Sequence, residues 1–143
     1  MKHRAPLDET VCTILGSYHR IAVVGLSDKP WRDSYAVAKY LVDHGYEIIP
    51  VNPEIHQVFA LRSYPDLLSA PRPVEVVNIF RRTEYIPEIV DQAIQVGAKA
   101  VWMQYALVEQ ASAERARKAN LLVVMDRCIR VEHNLHFGKW NNE

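Results

Sequence analysis

The chain has 143 residues, 49% of them hydrophobic, which is enough for one well-buried core and too few for two full domains. Seventeen basic side chains balance seventeen acidic ones, so no global field draws in a nucleic-acid backbone or an anionic membrane surface, and any phosphate site must be local. No stretch is apolar for long enough to be a signal segment or a membrane span, and Cys12 and Cys128 offer neither a disulfide framework nor a zinc spacing, so a cytoplasmic protein with reduced thiols is expected.

After a polar start over 1–6, an amphipathic segment predicts a helix over 7–16. The apolar run 20–26 predicts a strand that enters the turn Gly25-Leu26-Ser27 and a polar loop, followed by a helix starting at Asp33 or Ser34 and running over 35–44. In such a turn a glycine lets the backbone approach an anion, and the N–H groups and positive dipole end of the next helix hold it. An ordinary strand-to-helix loop has the same pattern, and the turn is not the G-x-G-x-x-G dinucleotide fingerprint. The second strand, 46–51, ends in Asn52-Pro53, where a nicotinamide ribose site prefers an acidic residue; a different nucleotide ligand is indicated.

The segment 56–73 departs from simple alternation: 57–60 reads as a short extended piece, 66–68 as a helical turn and 69–73 as linker-like. Strands over 74–80, 98–103 and 121–125 then alternate with helices over 84–96 and 108–120, which end at Gly97 and Asn120 where left-handed caps are expected. A closing helix over 130–137 and a frayed tail over 139–143 complete the chain. Regular alternation gives right-handed crossovers, hence a Rossmann-like α/β sandwich of three layers with a parallel sheet of about five strands. Ligands of such folds lie beyond the carboxyl ends of the strands, here Gly25-Leu26-Ser27, Asn52-Pro53, Phe80-Arg81-Arg82, Gln104-Tyr105 and Asp126-Arg127-Cys128.

Several residues carry two readings. Cys128 is a redox thiol beside an arginine and a helix start, or a small buried hydrophobe. Trp31 and Tyr35 stack on a base or pack on the core; Arg81-Arg82 is an anion clamp or a solvated loop. Asp126 and Arg127 are expected to pair and anchor the closing helix, while Glu114, Arg115, Arg117 and Lys118 form a solvated face. His133 and His136 stand at i and i+3 with no third ligand in view, so no metal is expected. No nucleophile or general acid/base has a poised partner, so no catalysis is expected.

The segments Ile21-Ala22-Val23-Val24-Gly25-Leu26-Ser27-Asp28-Lys29-Pro30, Gly45-Tyr46-Glu47-Ile48-Ile49-Pro50-Val51-Asn52-Pro53, Val77-Asn78-Ile79-Phe80-Arg81-Arg82, Gly97-Ala98-Lys99-Ala100-Val101-Trp102-Met103-Gln104 and Val123-Val124-Met125-Asp126-Arg127-Cys128 together resemble the small stand-alone CoA-binding proteins of Rossmann-like fold, similar to the CoA-binding domain of the succinyl-CoA synthetase alpha subunit. The likeness runs over about 14–136. It implies coenzyme A or an acyl-CoA, with the pyrophosphate on Gly25, Leu26, Ser27 and the helix N-terminus at Ser34, and Lys29, Arg32 or Arg81 meeting charged groups. It further implies Asn52 and Pro53 beside the adenosine, Phe80 and Arg81 as a wall, and Trp102, Met103 and Gln104 along the pantetheine path; on the redox reading of Cys128, its thiol forms a mixed disulfide with CoA or acts as a redox sensor. The chain departs from the family pattern at Ala106, where a glycine usually follows, and at Asp33, where a proline is common. A homodimer or a partner enzyme subunit is left open. The alternatives are an NAD(P)-binding oxidoreductase or redox-sensing domain, and an interaction protein that has kept the fold without the ligand.

Overall fold

The computed structural model describes residues 8–138. The start of the first predicted helix at Leu7 and the tail 139–143 lie outside them. Helix α1 is Glu9–Ser17, with Asp8 as N-cap accepting from the Thr10 and Val11 amides. Five parallel strands follow, β1 (Arg20–Val24), β2 (Glu47–Val51), β5 (Val76–Ile79), β6 (Ala100–Met103) and β7 (Leu122–Val124), interleaved with α2 (Asp33–Asp43), α3 (Ile86–Gln95), α4 (Gln110–Lys118) and α5 (Ile129–Phe137). A hairpin of β3 (Gln57–Val58) and β4 (Leu61–Arg62) lies between β2 and β5.

The sheet order is β2-β1-β5-β6-β7. The chain moves outward from β1 to β2, then returns to β5 and moves the other way, and right-handed crossovers therefore put the connecting helices on opposite faces. Helices α1, α2 and α5 pack with Ile21, Val23, Ile48, Val76 and Trp102 on one face, whereas α3 and α4 pack with Val24, Val51, Ile79 and Met103 on the other. Burial on both faces makes each strand a continuous apolar run. The predicted strands nonetheless overran the paired ones, because Leu26, Val74, Ala98 and Leu121 are buried beyond the ends of the ladder.

Pro50 is tolerated because β2 is an edge strand. Tyr64 covers that edge: its amide donates to the Pro50 carbonyl at 3.0 Å, and its carbonyl accepts from the Asn52 amide at 2.8 Å. Two corrections fall in this connection. The extended piece at 57–60 is half of a hairpin whose turn residues, Phe59 and Ala60, have φ of 56° and 60°. The helical turn expected at 66–68 is a bend instead, closed by the Asp66 carboxylate accepting from the Ser69 amide at 2.9 Å, a local bond that competes with helix formation. Gly97 and Asn120 take the left-handed conformations expected after helices, at φ of 77° and 71°.

Candidate functional site

The order of strands reverses between β1 and β5, and their carboxyl ends part there to leave a crevice. Gly25, at φ 92°, stands at its bottom, with its N–H on the Val51 carbonyl at 2.8 Å. A Cβ on Gly25 would lie 2.5 Å from the Phe80 carbonyl oxygen, so glycine is required by the neighbouring chain whether or not a ligand is present. Leu26 is fully buried and contributes backbone only: its carbonyl accepts from the Asn52 side-chain amide at 2.8 Å. Asn52 also accepts from the Glu54 amide at 2.8 Å and from the Ser63 hydroxyl at 2.9 Å, so it braces the ends of β1 and β2 from within.

The Ser27 amide donates to the buried Ser34 hydroxyl at 3.0 Å, and the Ser27 hydroxyl accepts from the Lys29 amide at 3.0 Å. These two bonds fold the loop back onto the start of α2. The N-cap of α2 is Arg32, which makes no side-chain cap bond, and this leaves the first N–H groups of the helix for another acceptor. A cavity of about 320 Å³ opens there, lined by Gly25, Ser27, Trp31, Arg32, Asp33, Ser34 and Phe80. Asp33 is the first helical residue, so its carboxylate is not the cap but does stand on the wall of an anion-sized space. Lys29 lies on the exposed loop outside, 6.0 Å from the centre of the Trp31 ring.

Two further cavities flank this one. On the β2 side a small cavity of about 130 Å³ includes Pro53, Val24, Leu67, Arg81 and Tyr85. Toward β7 a space of about 910 Å³ lies between α2 and α5, bounded by Asp33, Val37, Tyr40, Phe80, Arg81, Gln104, Leu107, Cys128 and Arg130. Asp33 and Phe80 are shared with the loop cavity, and Arg81 is shared with the small one. Together the three trace the carboxyl edge of the sheet from β2 to β7. The Arg81 guanidinium rests 4.3 Å from the Tyr85 ring centre, which holds it between two of the spaces.

Gly25, Ser27, Arg32, Ser34, Pro53, Phe80, Arg81 and Gln104 line one or other cavity. Trp102 and Met103 do not border a ligand path as placed: both side chains are fully buried, one in each core layer, because consecutive strand residues alternate faces. The Trp102 indole N–H donates to the Arg127 carbonyl at 2.8 Å. Tyr35 packs on Phe59 with ring centres 4.7 Å apart, whereas Trp31 is 75% exposed at the rim. Cys128 is half-buried on the wall of the cavity between α2 and α5, at the N-cap of α5 without a cap bond.

Asp126 and Arg127 do not pair with each other. Asp126, at φ 60°, accepts from the Ala106 amide at 2.6 Å, and Arg127 pairs with Asp8 at 2.7 Å and Glu132 at 3.6 Å. The left-handed turn at Asp126 separates the two side chains, and Arg127 clasps α1 to α5 instead. Arg115, expected on a solvated face, pairs with Asp91 at 3.1 Å across the contact between α3 and α4.

Residue-level reading missed Tyr40, Val37 and Arg130. Their signal was periodic: Asp33, Val37 and Tyr40 lie at helical spacing along α2, so a site at its first turn continues down that face. The Tyr40 hydroxyl is 2.8 Å from Nδ1 of His133, and burial raises the tyrosine's pKa against the opposing pull of Arg130. Burial and then the nearby His44 lower the pKa of His133 below its ordinary 6.5.

A parallel sheet of this order, with a glycine turn, an uncapped helix start and a long groove at its carboxyl edge, defines a Rossmann-like α/β ligand-binding protein. The chain belongs to the family described as CoA binding domain, whose profile matches residues 19–134. It is 38% identical over 128 residues to the uncharacterized protein YneT of Bacillus subtilis (strain 168), covering 90% of this chain and 95% of that one. A solved structure of a hypothetical protein from Pyrococcus horikoshii OT3 superposes with a TM-score of 0.86 at 40% identity, over 94% of this chain and 97% of that one. A more distant relative is the alpha subunit of an ADP-forming acetate–CoA ligase I of Pyrococcus furiosus, 28% identical over 120 residues; the match takes in 73% of this chain but 26% of that subunit. No helix among the described residues is long and apolar enough to cross a membrane.

Proposed function

We propose that the protein binds coenzyme A or an acyl-CoA along this edge without turning it over. The pyrophosphate sits at the Gly25–Ser27 loop and the start of α2, the adenosine lies toward Pro53, and the pantetheine arm runs between α2 and α5. The observation that carries the reading is the uncapped start of α2 opening into the loop cavity of about 320 Å³, which shares Asp33 and Phe80 with the space of about 910 Å³, so an anion site adjoins room for a long arm. Family membership supports the choice of CoA over other nucleotides.

Thermal unfolding with CoA, acetyl-CoA, NAD and NADP tests the ligand class. A ligand at about 100 times its Kd stabilises the folded state by roughly 2.7 kcal/mol, a midpoint rise of roughly 5–10 °C for a chain of this size. The rise is expected with CoA compounds and absent with NAD and NADP; a rise with NAD alone would move the protein to the oxidoreductase class. Unchanged acetyl-CoA after long incubation is the matching result for a binder without turnover.

Cys128 stands where the thiol end of the arm would arrive. Exchange with CoA disulfide would join them: the Cys128 thiolate attacks one sulfur, a protein–CoA disulfide forms and one CoA thiolate leaves. Intact-mass spectrometry should show one CoA adduct on the parent protein, none on Cys128→Ser, and reversal by a reducing thiol. An adduct that persists in Cys128→Ser would place the reaction at Cys12.

A further inference from the structure

β5 is buried throughout and apolar except for Asn78, which sits between Val77 and Ile79 at the centre of the sheet. Its side-chain NH2 donates to Oε1 of Gln104 at 3.0 Å, and the same oxygen accepts from the Ile129 amide at 2.9 Å. The Ile129 N–H can only donate, so the inward end of Gln104 must be its oxygen, and the end of Asn78 that meets it must be its nitrogen. The orientation of both amides is thereby set. Among the described residues the Asn78 Oδ1 is left buried with no hydrogen-bond partner.

An orphaned acceptor of this kind is destabilising, and an apolar residue of similar shape would remove the penalty. The arrangement does, however, lock Gln104 with its carbonyl inward and its NH2 as the remaining end, and Gln104 lines the cavity of about 910 Å³ where α2 and α5 approach. The charged groups of that wall, Asp33, Arg81, Arg82 and Arg130, suit ionic partners, whereas the fixed, neutral NH2 of Gln104, with Val37, Phe80 and Leu107 on the same wall, suits a neutral carbonyl oxygen. On the CoA reading above, on which this step rests, the arm crossing that wall carries two secondary amides.

We infer that Gln104 donates from its side-chain NH2 to an amide carbonyl of the pantetheine arm, and that Asn78 is a positioning residue that keeps Gln104 in the donating orientation at the expense of stability. Asn78 touches no ligand and acts only through Gln104.

The test measures CoA affinity by calorimetry and Tm for the parent, Asn78→Leu, Gln104→Met and the double variant. Loss of one neutral hydrogen bond predicts about 3- to 10-fold weaker CoA binding for Gln104→Met. Asn78→Leu should weaken binding in the same direction and by no more, with Tm unchanged or higher. The double variant should bind like Gln104→Met alone, since Asn78 has nothing left to position. Parental affinity in Gln104→Met, additive losses in the double variant, or a fall in Tm for Asn78→Leu that accounts for its weaker binding would each overturn the assignment. A parent protein that does not bind CoA at all would overturn the ligand reading itself, and this inference with it.

Discussion

Ala106 has φ 71°, a left-handed conformation in which its Cβ crowds the following carbonyl, and it is held there by the bond from its amide to Asp126. Ala106→Gly should therefore raise stability by about 0.5 kcal/mol, the relief of backbone strain less the extra freedom of glycine in the unfolded chain; a denaturant midpoint shifted upward with unchanged slope would show it. Asp33 presents the opposite balance. As the first residue of α2 its carboxylate favours the helix by about 0.3–1 kcal/mol, yet it lines both the loop cavity and the one between α2 and α5, where it would repel a phosphate group placed as proposed. Asp33→Asn is expected to lower Tm slightly and to tighten CoA binding about fivefold in dilute buffer, from about 1 kcal/mol for unit charges 4 Å apart in water, with the gain shrinking as salt is added. Equal affinity for the two proteins at low salt would show that the carboxylate points away from the phosphates. Gly25 offers no such clean readout, because any side chain there meets the Phe80 carbonyl before it meets a ligand.

At the scale of elements, α2 and α5 wall the cavity of about 910 Å³, and where they pack together His133 of α5 meets Tyr40 of α2. His133 contacts the Tyr40 hydroxyl at 2.8 Å, with the His44 ring 5.2 Å and the Tyr46 ring 5.5 Å away, and the Arg130 guanidinium lies over Tyr40 at 5.6 Å. With its pKa lowered in the folded state, His133 stays neutral there while the unfolded chain takes up a proton near pH 6.5. The unfolded state then binds more protons, so stability is fully present above 6.5 and is lost as pH falls toward the folded pKa. Tm should decline between pH 7.5 and 5.5 in the parent and more shallowly in His133→Gln, which keeps an acceptor for Tyr40 but does not titrate. Parallel declines in the two proteins would assign the pH dependence elsewhere. Glu75 contributes in a lower range: hydrogen bonds from the backbone N–H groups of Arg20 and His19 hold its carboxyl below 4.5, so its share of stability is present above that value and is lost in acid.

For the whole molecule, the pattern of apolar runs and helical periods in the sequence was sufficient for the class of fold, the five strands and the groove at their carboxyl ends, because burial on both faces of a parallel sheet writes itself into composition over each strand. The glycine turn, Ser34 and Arg81 were also legible, since each immediately follows a strand or starts a helix. What the sequence could not decide was which side chain at a strand end faces the groove and which faces the core. Trp102 and Met103 precede Gln104 by one or two residues, yet only Gln104 lines the cavity, and that depends on the pleat and on Ile129 arriving from another part of the chain. The hairpin in place of a crossover helix, the clasp of Arg127 on Asp8 and Glu132, and the Asn78–Gln104 lock are likewise contacts across the fold. Local patterning determined the elements and their order, because propensity and periodicity act over a few residues. The tertiary structure decided which side chains share one groove, because the groove is assembled from five strand ends and two helices that meet only once the sheet has formed.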